Sequence, residues 1–290
     1  RIMNGEFESI DIVRTDSEGH AKYQIFIENN RTYMSVYKDR HGHLLEDDIK
    51  DAMCADIKEI FEKNQLDRYV TPDVIRQFAN LTDIMLDMNE HMNVTAITEL
   101  EKVIPLHYAD CAVLADMIPQ GARVLDVGCG GGFPTLPLAI LRPDLAITAL
   151  DSTEKKVRYV ADTAAKLGLK INTLTGRAED LAAANTGYRE QFDVVVSRAV
   201  ARLNMLDELC LPFIKKDGLF LCMKASAGHE ELAEAEKGII KLGGEVEKVI
   251  DSQLQMTDKQ EERCLIQIRK VKYTPGAYPR AFAKIKKSPL

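Results

Sequence analysis

Val124-Leu125-Asp126-Val127-Gly128-Cys129-Gly130-Gly131-Gly132-Phe133-Pro134 is an apolar run that ends in an acid and passes into a glycine-dense turn, with a short apolar helix behind the proline. That order reads as strand, tight turn, helix N-terminus. The turn carries few side chains to hold a ligand off, so a small molecule can lie directly on exposed backbone N–H groups. Spacing restricts which molecule. A dinucleotide fingerprint counted from Gly128 puts its third glycine where this chain has Phe133. A phosphate loop ends in Gly-Lys-Ser/Thr, and Phe133-Pro134-Thr135 has no lysine to meet a phosphate. What fits is acid-x-Gly-x-Gly-x-Gly, filled by Asp126, Gly128, Gly130 and Gly132.

That pattern resembles the first motif of the class I S-adenosylmethionine-dependent methyltransferases, where no pyrophosphate has to be cradled. A glycine-rich turn in an ordinary α/β core is the bland alternative. Downstream, strand-like and helix-like segments alternate. Strands are expected at Arg123–Val127, Ala146–Leu150, Ile171–Leu174, Phe192–Val196, Leu219–Met223, Val246–Ser252 and Cys264–Val271. Helices are expected near Pro137–Leu141, Glu154–Leu167, Ala178–Ala184, Leu203–Leu209 and Glu230–Leu242. Such alternation calls for a mostly parallel sheet covered on both faces. The last two strands have no helix between them and should form an antiparallel pair at one edge.

Upstream the chain changes character. Phe7–Val13, Tyr23–Glu28 and Tyr33–Tyr37 are short β-branched and aromatic runs with Asn29-Asn30 as a hairpin turn, which predicts a small β appendage over residues 1–46. His41 and His43 read as solvated loop residues. Residues 47–118 read as a helical region expected to pack on the domain that follows. Ile49, Met53, Ile57 and Ile60-Phe61 have helical spacing, Thr71-Pro72 opens a second helix, and Thr98 with Glu101 forms a capping box for a third reaching about Met117. The α/β domain then spans 119–272 and a basic tail 273–290.

At 290 residues, with 46% hydrophobic and 29% charged residues, the chain can hold one large domain or a domain plus an accessory piece. No apolar run approaches the ~20 residues of a membrane span, and no signal-peptide apolar region opens the sequence, so a cytoplasmic location and no membrane partner are expected. The six cysteines lack a Cys-x-x-Cys pair and no histidine stands at ligand spacing from them, which argues for reduced thiols and no metal. The net charge of −7 hides an asymmetry. From Arg269 to Leu290 there are seven cations and no acid, leaving −14 on the rest. With Tyr273, Tyr278 and Phe282 interleaved, this tail is a candidate RNA-contacting arm, a solvated tail being the alternative.

In an open α/β sheet the ligand lies outside the carboxyl ends of the strands, where strand order reverses. The first strand ends in the glycine loop. The second ends at Asp151, close to the roughly 20-residue offset at which an acid meets a ribose diol, followed by Ser152 and by Thr153, which also reads as a helix N-cap. After the third comes Gly176-Arg177-Ala178-Glu179, after the fourth Ser197-Arg198-Ala199, and the fifth ends in Lys224.

Together with Asn93-Val94-Thr95-Ala96-Ile97, His107-Tyr108-Ala109-Asp110, Lys155-Lys156 and the tail residues Tyr278-Pro279-Arg280, Lys286-Lys287 and Pro289-Leu290, these motifs resemble one family in the expected order. It is the bacterial small-subunit ribosomal RNA guanine-N7 methyltransferases, also called glucose-inhibited division protein B, and the likeness runs from about Asp51 to the C-terminus. The resemblance implies a class I Rossmann-like sheet with an antiparallel edge strand and S-adenosylmethionine as cofactor. Gly128, Phe133, Asp151, Ser152, Thr153, Ala178, Glu179 and Arg198 then fall on cofactor-binding positions, and Lys224, Arg280, Lys286 and Lys287 are candidate RNA contacts. The implied substrate is a guanosine in the 530 loop of 16S rRNA, free or in the small subunit, acted on by a monomer. No general base is expected, because guanine N7 has a lone pair and no proton to lose. Another class I methyltransferase, or a non-enzymatic ribosome-assembly factor keeping the cofactor fold, are the alternatives. Thr135 stands where the family usually has glycine, Cys111 where serine is usual, and Ala225 follows Lys224 in place of glycine. In the tail, Ala283 and Ile285 replace the usual glycine and proline.

Overall fold

The protein is described from a computed structural model, which places residues 46–89, 92–184 and 186–290 and, before them, the strands β1 (Ile12–Thr15), β2 (Ala21–Glu28) and β3 (Arg31–Ser35). The chain divides into two compact units, 1–100 and 101–290.

In the first unit β1, β2 and β3 form an antiparallel sheet in sequence order. Glu28 stands opposite Arg31, and Asn29-Asn30, the expected hairpin turn, lie outside the described residues. The expected strand residues before Ile12 and after Ser35, and His41 and His43, lie outside the described residues. Two helices follow, α1 (Glu46–Lys63) and α2 (Pro72–Asn89). Thr71 caps α2 as expected, its Oγ1 accepting from the Val74 N–H at 3.3 Å, and Pro72 sits where no intrahelical N–H is needed. The periodic apolar positions meet: Phe61 packs on Phe78 with ring centroids 5.5 Å apart, and Met53 and Met85 are buried.

The second unit is built on a seven-stranded sheet. Its strands are β4 (Arg123–Val127), β5 (Ala146–Asp151), β6 (Ile171–Thr175), β7 (Phe192–Arg198), β8 (Ile214–Lys224), β9 (Gly244–Gln255) and β10 (Gln260–Lys270). They lie in the order β6-β5-β4-β7-β8-β10-β9. The first five are parallel, and β10 inserts antiparallel between β8 and β9. The expected antiparallel pair is present, with the antiparallel strand second from the edge and β9 outermost. This is the class I methyltransferase sheet. Its strand order reverses between β4 and β7, so the ligand crevice belongs at the carboxyl ends of those two strands.

The helices are α3 (100–112), α4 (Thr135–Leu141), α5 (Glu154–Lys166), α6 (Ala178–Leu181), α7 (Leu203–Cys210), α8 (Gly228–Lys241) and α9 (Phe282–Lys287). Residues buried on both sides of β4, β7 and β8 explain why those strands read as unbroken apolar runs. α3 differs from its expected form in two ways. Its middle, Ile104–Ala109, is π-helical, since Pro105 has no N–H to give the ladder and its ring crowds the preceding turn. The helix also stops at Ala112 rather than near Met117. Beyond it the bonds tighten to Leu114 N→Cys111 O and Ala115 N→Ala112 O, and the carbonyls of Ala115 and Ile118 accept from the Arg142 guanidinium.

The tail is no free arm. Arg189 donates to the carbonyls of Tyr278 and Thr274 at 2.8 and 2.7 Å, Ile285 is buried, and Leu290 packs on the main core.

Candidate functional site

The glycine loop after β4 is held by its own backbone. Gly128 N and Cys129 N both donate to the carbonyl of Leu150 on β5, at 2.8 and 2.9 Å, which folds the loop across the end of the neighbouring strand. Gly128, Gly130 and Gly132 have φ of +76°, +53° and +86°, a region in which L side chains are strained. At Gly128 an added Cβ would stand 2.5 Å from Val200 Cγ2, whereas at Gly130 it would meet nothing nearer than 3.8 Å. The middle of the loop is thus a backbone cradle in which a side chain would stand where a ligand can lie.

Two carboxylates flank this cradle. Asp151, at the end of β5, accepts from Gly130 N through Oδ2 (3.1 Å) and from Thr153 N through Oδ1 (2.8 Å). A carboxylate has about four lone-pair positions, so after these two bonds it retains acceptor capacity for a diol. Thr153 occupies the N-cap position of α5 as expected, but its hydroxyl makes no cap bond. Asp126 is buried beneath the loop. Its Oδ2 accepts from the Thr135 hydroxyl (2.6 Å) and from Thr135 N (3.3 Å), while Oδ1 is buried without a hydrogen-bond partner. Burial outweighs the Thr135 bonds and pushes the carboxyl up to about 6. The orphaned oxygen is an acceptor that no side chain or backbone group satisfies.

Further along the rim, Ala178 and the buried Glu179 open α6 beyond β6, with Arg177 Nε 3.7 Å from the Glu179 carboxylate. The expected cofactor positions Gly128, Asp151, Ser152, Thr153, Ala178 and Glu179 therefore line the carboxyl ends of three adjacent strands. Phe133 and Arg198 stand in a different setting. The Phe133 ring is buried and stacked on His107 (centroids 4.2 Å, planes 9° apart), with the Arg198 guanidinium 5.6 Å from its centroid. Arg198 donates to Leu106 O (2.6 Å) and meets His107 Nδ1 at 2.9 Å. A guanidinium only donates, so Nδ1 accepts and the imidazole proton sits on Nε2. Burial first, then the Arg198 charge, hold His107 down to about 3, so it is neutral under physiological conditions.

Asp110 joins this cluster, accepting from Arg263 Nε at 3.1 Å with Arg198 Nη1 3.7 Å away. Burial pushes its carboxyl up, and the two guanidinium groups pull it back. Arg263 escaped the sequence reading. It lies mid-strand in β10, and only knowledge that β10 lies beside β8 brings it to the rim. His107 and Asp110 belong to the motif His107-Tyr108-Ala109-Asp110, in which the sequence offers Asp110 as an electrostatic contributor and gives His107 no role.

The candidate RNA cations divide. Lys224 donates to Ala201 O (2.7 Å) and pairs with Glu231 (2.7 Å) with its side chain 9% exposed. Arg280 makes a two-pronged bond to the fully buried Glu208, Nη2 to Oε2 at 2.6 Å and Nε to Oε1 at 2.9 Å. Both side chains are committed to internal partners. Lys286 and Lys287 are exposed, as is Lys284.

A family model described as GidB, rRNA small subunit methyltransferase G, matches residues 74–261. A ribosomal RNA small subunit methyltransferase G of Lachnoclostridium phytofermentans is 45% identical over 219 residues, 74% of this chain and 89% of that protein. Proteins of the same name from Lactobacillus helveticus and Limosilactobacillus reuteri are 39% and 41% identical over 238 and 239 residues, each covering 80% of this chain and 98% of the relative. With the matched residues running from α2 through the glycine loop to β10, and the relatives spanned almost end to end, the chain belongs to the GidB family, the small-subunit ribosomal RNA methyltransferases G.

Proposed function

We propose that this protein transfers the methyl group of S-adenosylmethionine to N7 of a guanosine in the 530 loop of 16S ribosomal RNA. The observation that carries this reading is the pair of carboxylates on either side of the glycine cradle, one with spare acceptor capacity and one with a buried oxygen lacking a partner. A nucleoside with a ribose diol at one end and an α-ammonium at the other matches that donor set. Asp151 would hold the diol, Asp126 the ammonium, and the backbone of Gly128 to Gly132 the body between them. When bound, the cofactor supplies an electrophilic methyl on a sulfonium.

The protein's own part is placement. N7 is nucleophilic as it stands, so the rate comes from holding it in line with the methyl, which is worth up to several kcal/mol. His107, neutral and fixed by Arg198 and Phe133, neither takes nor gives a proton at this pH; it braces the Phe133 ring behind the loop. The carboxylates at the rim favour the positive charge that grows on the base as the sulfonium charge disperses.

Mapping of N7-methylguanosine in 16S rRNA by borohydride–aniline cleavage tests the site. In cells lacking this chain the cleavage in the 530 loop should vanish and return on complementation. Cleavage that persists without the chain refutes the assignment of the base.

A further inference from the structure

On the face of the sheet edge beyond the crevice, three side chains of different chemistry converge on one cavity. Cys264 of β10 and Asp251 of β9 are register partners, directly opposite each other and so on the same face of the antiparallel pair. His229 reaches them from the first turn of α8, its Nε2 2.9 Å from both Asp251 oxygens. Gly228 lets that turn come close, since a Cβ there would lie 2.5 Å from Cys264 Sγ. One nitrogen, one carboxylate oxygen and one sulfur thus lie within 4.8 Å of one another, and they line a cavity of about 320 Å³ together with Ser226, Ser252 and Glu262.

We propose that His229, Asp251 and Cys264 form a binding site for a borderline-soft divalent cation, Zn²⁺ being the best match. An imidazole, a carboxylate and a thiolate are three of the ligands zinc takes in tetrahedral sites, with the cavity open to a fourth. The charges close: a carboxylate and a thiolate balance the ion, the imidazole stays neutral, and the thiol proton is released to solvent on binding. Arg263, which also borders the cavity, opposes a cation little because its guanidinium is paired with Asp110 and Glu261. The anchoring is firm, since two ligands sit on paired strands and the third on a helix packed against them. Spacing in the sequence conceals the set, because residues 229, 251 and 264 belong to three elements that only the hairpin and α8 bring together. A bound ion would pin the outer hairpin to α8 at the rim that carries Lys224 and Arg263.

The test uses the whole chain, free of any polyhistidine tag and stripped with chelator, titrated with Co²⁺ and then Zn²⁺. One equivalent of Co²⁺ should bind, giving a sulfur-to-cobalt charge-transfer band in the near ultraviolet and the visible bands of a tetrahedral ion, all erased by one equivalent of Zn²⁺. Cys264→Ser should abolish the charge-transfer band and Cys54→Ser should leave it. His229→Gln and Asp251→Asn should weaken binding by at least about tenfold, the loss that follows removal of even an outer-shell partner. His229 is exposed, so its variant reports on the site even if Cys264→Ser disturbs packing. The proposal is overturned if the wild-type chain takes up no cobalt, if the band survives in Cys264→Ser, or if neither His229→Gln nor Asp251→Asn weakens uptake.

Discussion

Asp126 is the residue whose ionisation carries the most consequence. Its folded value of about 6 lies above the roughly 4 of an unfolded aspartate, so the folded chain favours the protonated form. The stability this gives is complete below about pH 4 and is lost as pH rises through about 6. A cofactor ammonium asks for the opposite state. Binding of S-adenosylhomocysteine, followed by calorimetry, should therefore strengthen as pH rises through about 6, and Asp126→Asn should flatten that dependence while weakening binding. A flat profile in the wild-type chain would remove Asp126 from the cofactor site. Thr135 supplies a second test. Its hydroxyl holds Asp126 Oδ2 and lowers the carboxyl's pKa, so Thr135→Val should move the pH midpoint upward. The threonine that departs from the family's usual glycine is thereby tied to the acid beneath the loop. At Gly128, alanine would be strained by roughly 1–2 kcal/mol from its positive φ alone, before the clash with Val200.

At the scale of elements, the basic segment from Arg269 to Leu290 divides into cations bonded within the fold and lysines left exposed. Its seven cations looked alike in sequence, yet Arg269 is bonded to Glu247, Lys270 is wholly buried on Leu211 O and Thr274 Oγ1, and Arg280 neutralises the buried Glu208. Arg280→Ala should cost about 3–5 kcal/mol, because it strands a buried carboxylate. Lys286→Ala and Lys287→Ala should change stability by no more than about 0.5 kcal/mol. Chemical denaturation separates the two outcomes, and equal effects would contradict the division. Composition cannot tell which cations find acids, since Glu208 lies 72 residues before Arg280 and Glu247 lies 22 before Arg269. The unit from β4 to α5 was legible because its signals are local: an apolar run, glycines at alternate positions, and an acid closing the next strand. The outer hairpin was read too short. β9 runs Gly244–Gln255 rather than Val246–Ser252, because an edge strand with so many exposed positions carries little apolar alternation. The π-helical stretch holding His107 and the cross-strand position of Arg263 had no local signature. The acids and glycines around the loop after β4 thus follow from local signals, while the contacts that join His107, Arg198, Asp110 and Arg263 follow only from the fold, although Arg198 and the segment from His107 to Asp110 stand out in the sequence by themselves.

For the whole molecule, an acidic body with a few exposed tail lysines implies RNA affinity that depends on ionic strength. Replacing Lys284, Lys286 and Lys287 together by alanine should flatten the slope of log affinity against log salt by about 2 for single-stranded RNA, each lost phosphate contact contributing about 0.7. Filter binding to small-subunit RNA across a salt series would show it, and an unchanged slope would place the RNA on another surface. The central claim is that the cradle after β4 presents a sulfonium methyl to a ribosomal guanine. Its most direct test is incubation of the purified chain with methyl-labelled S-adenosylmethionine and small subunits from cells lacking the protein, followed by digestion and chromatography of the nucleosides. The account predicts label in N7-methylguanosine from 16S rRNA alone, lost in Asp151→Ala. Label in any other nucleoside, or none from a chain that binds the cofactor, would contradict it.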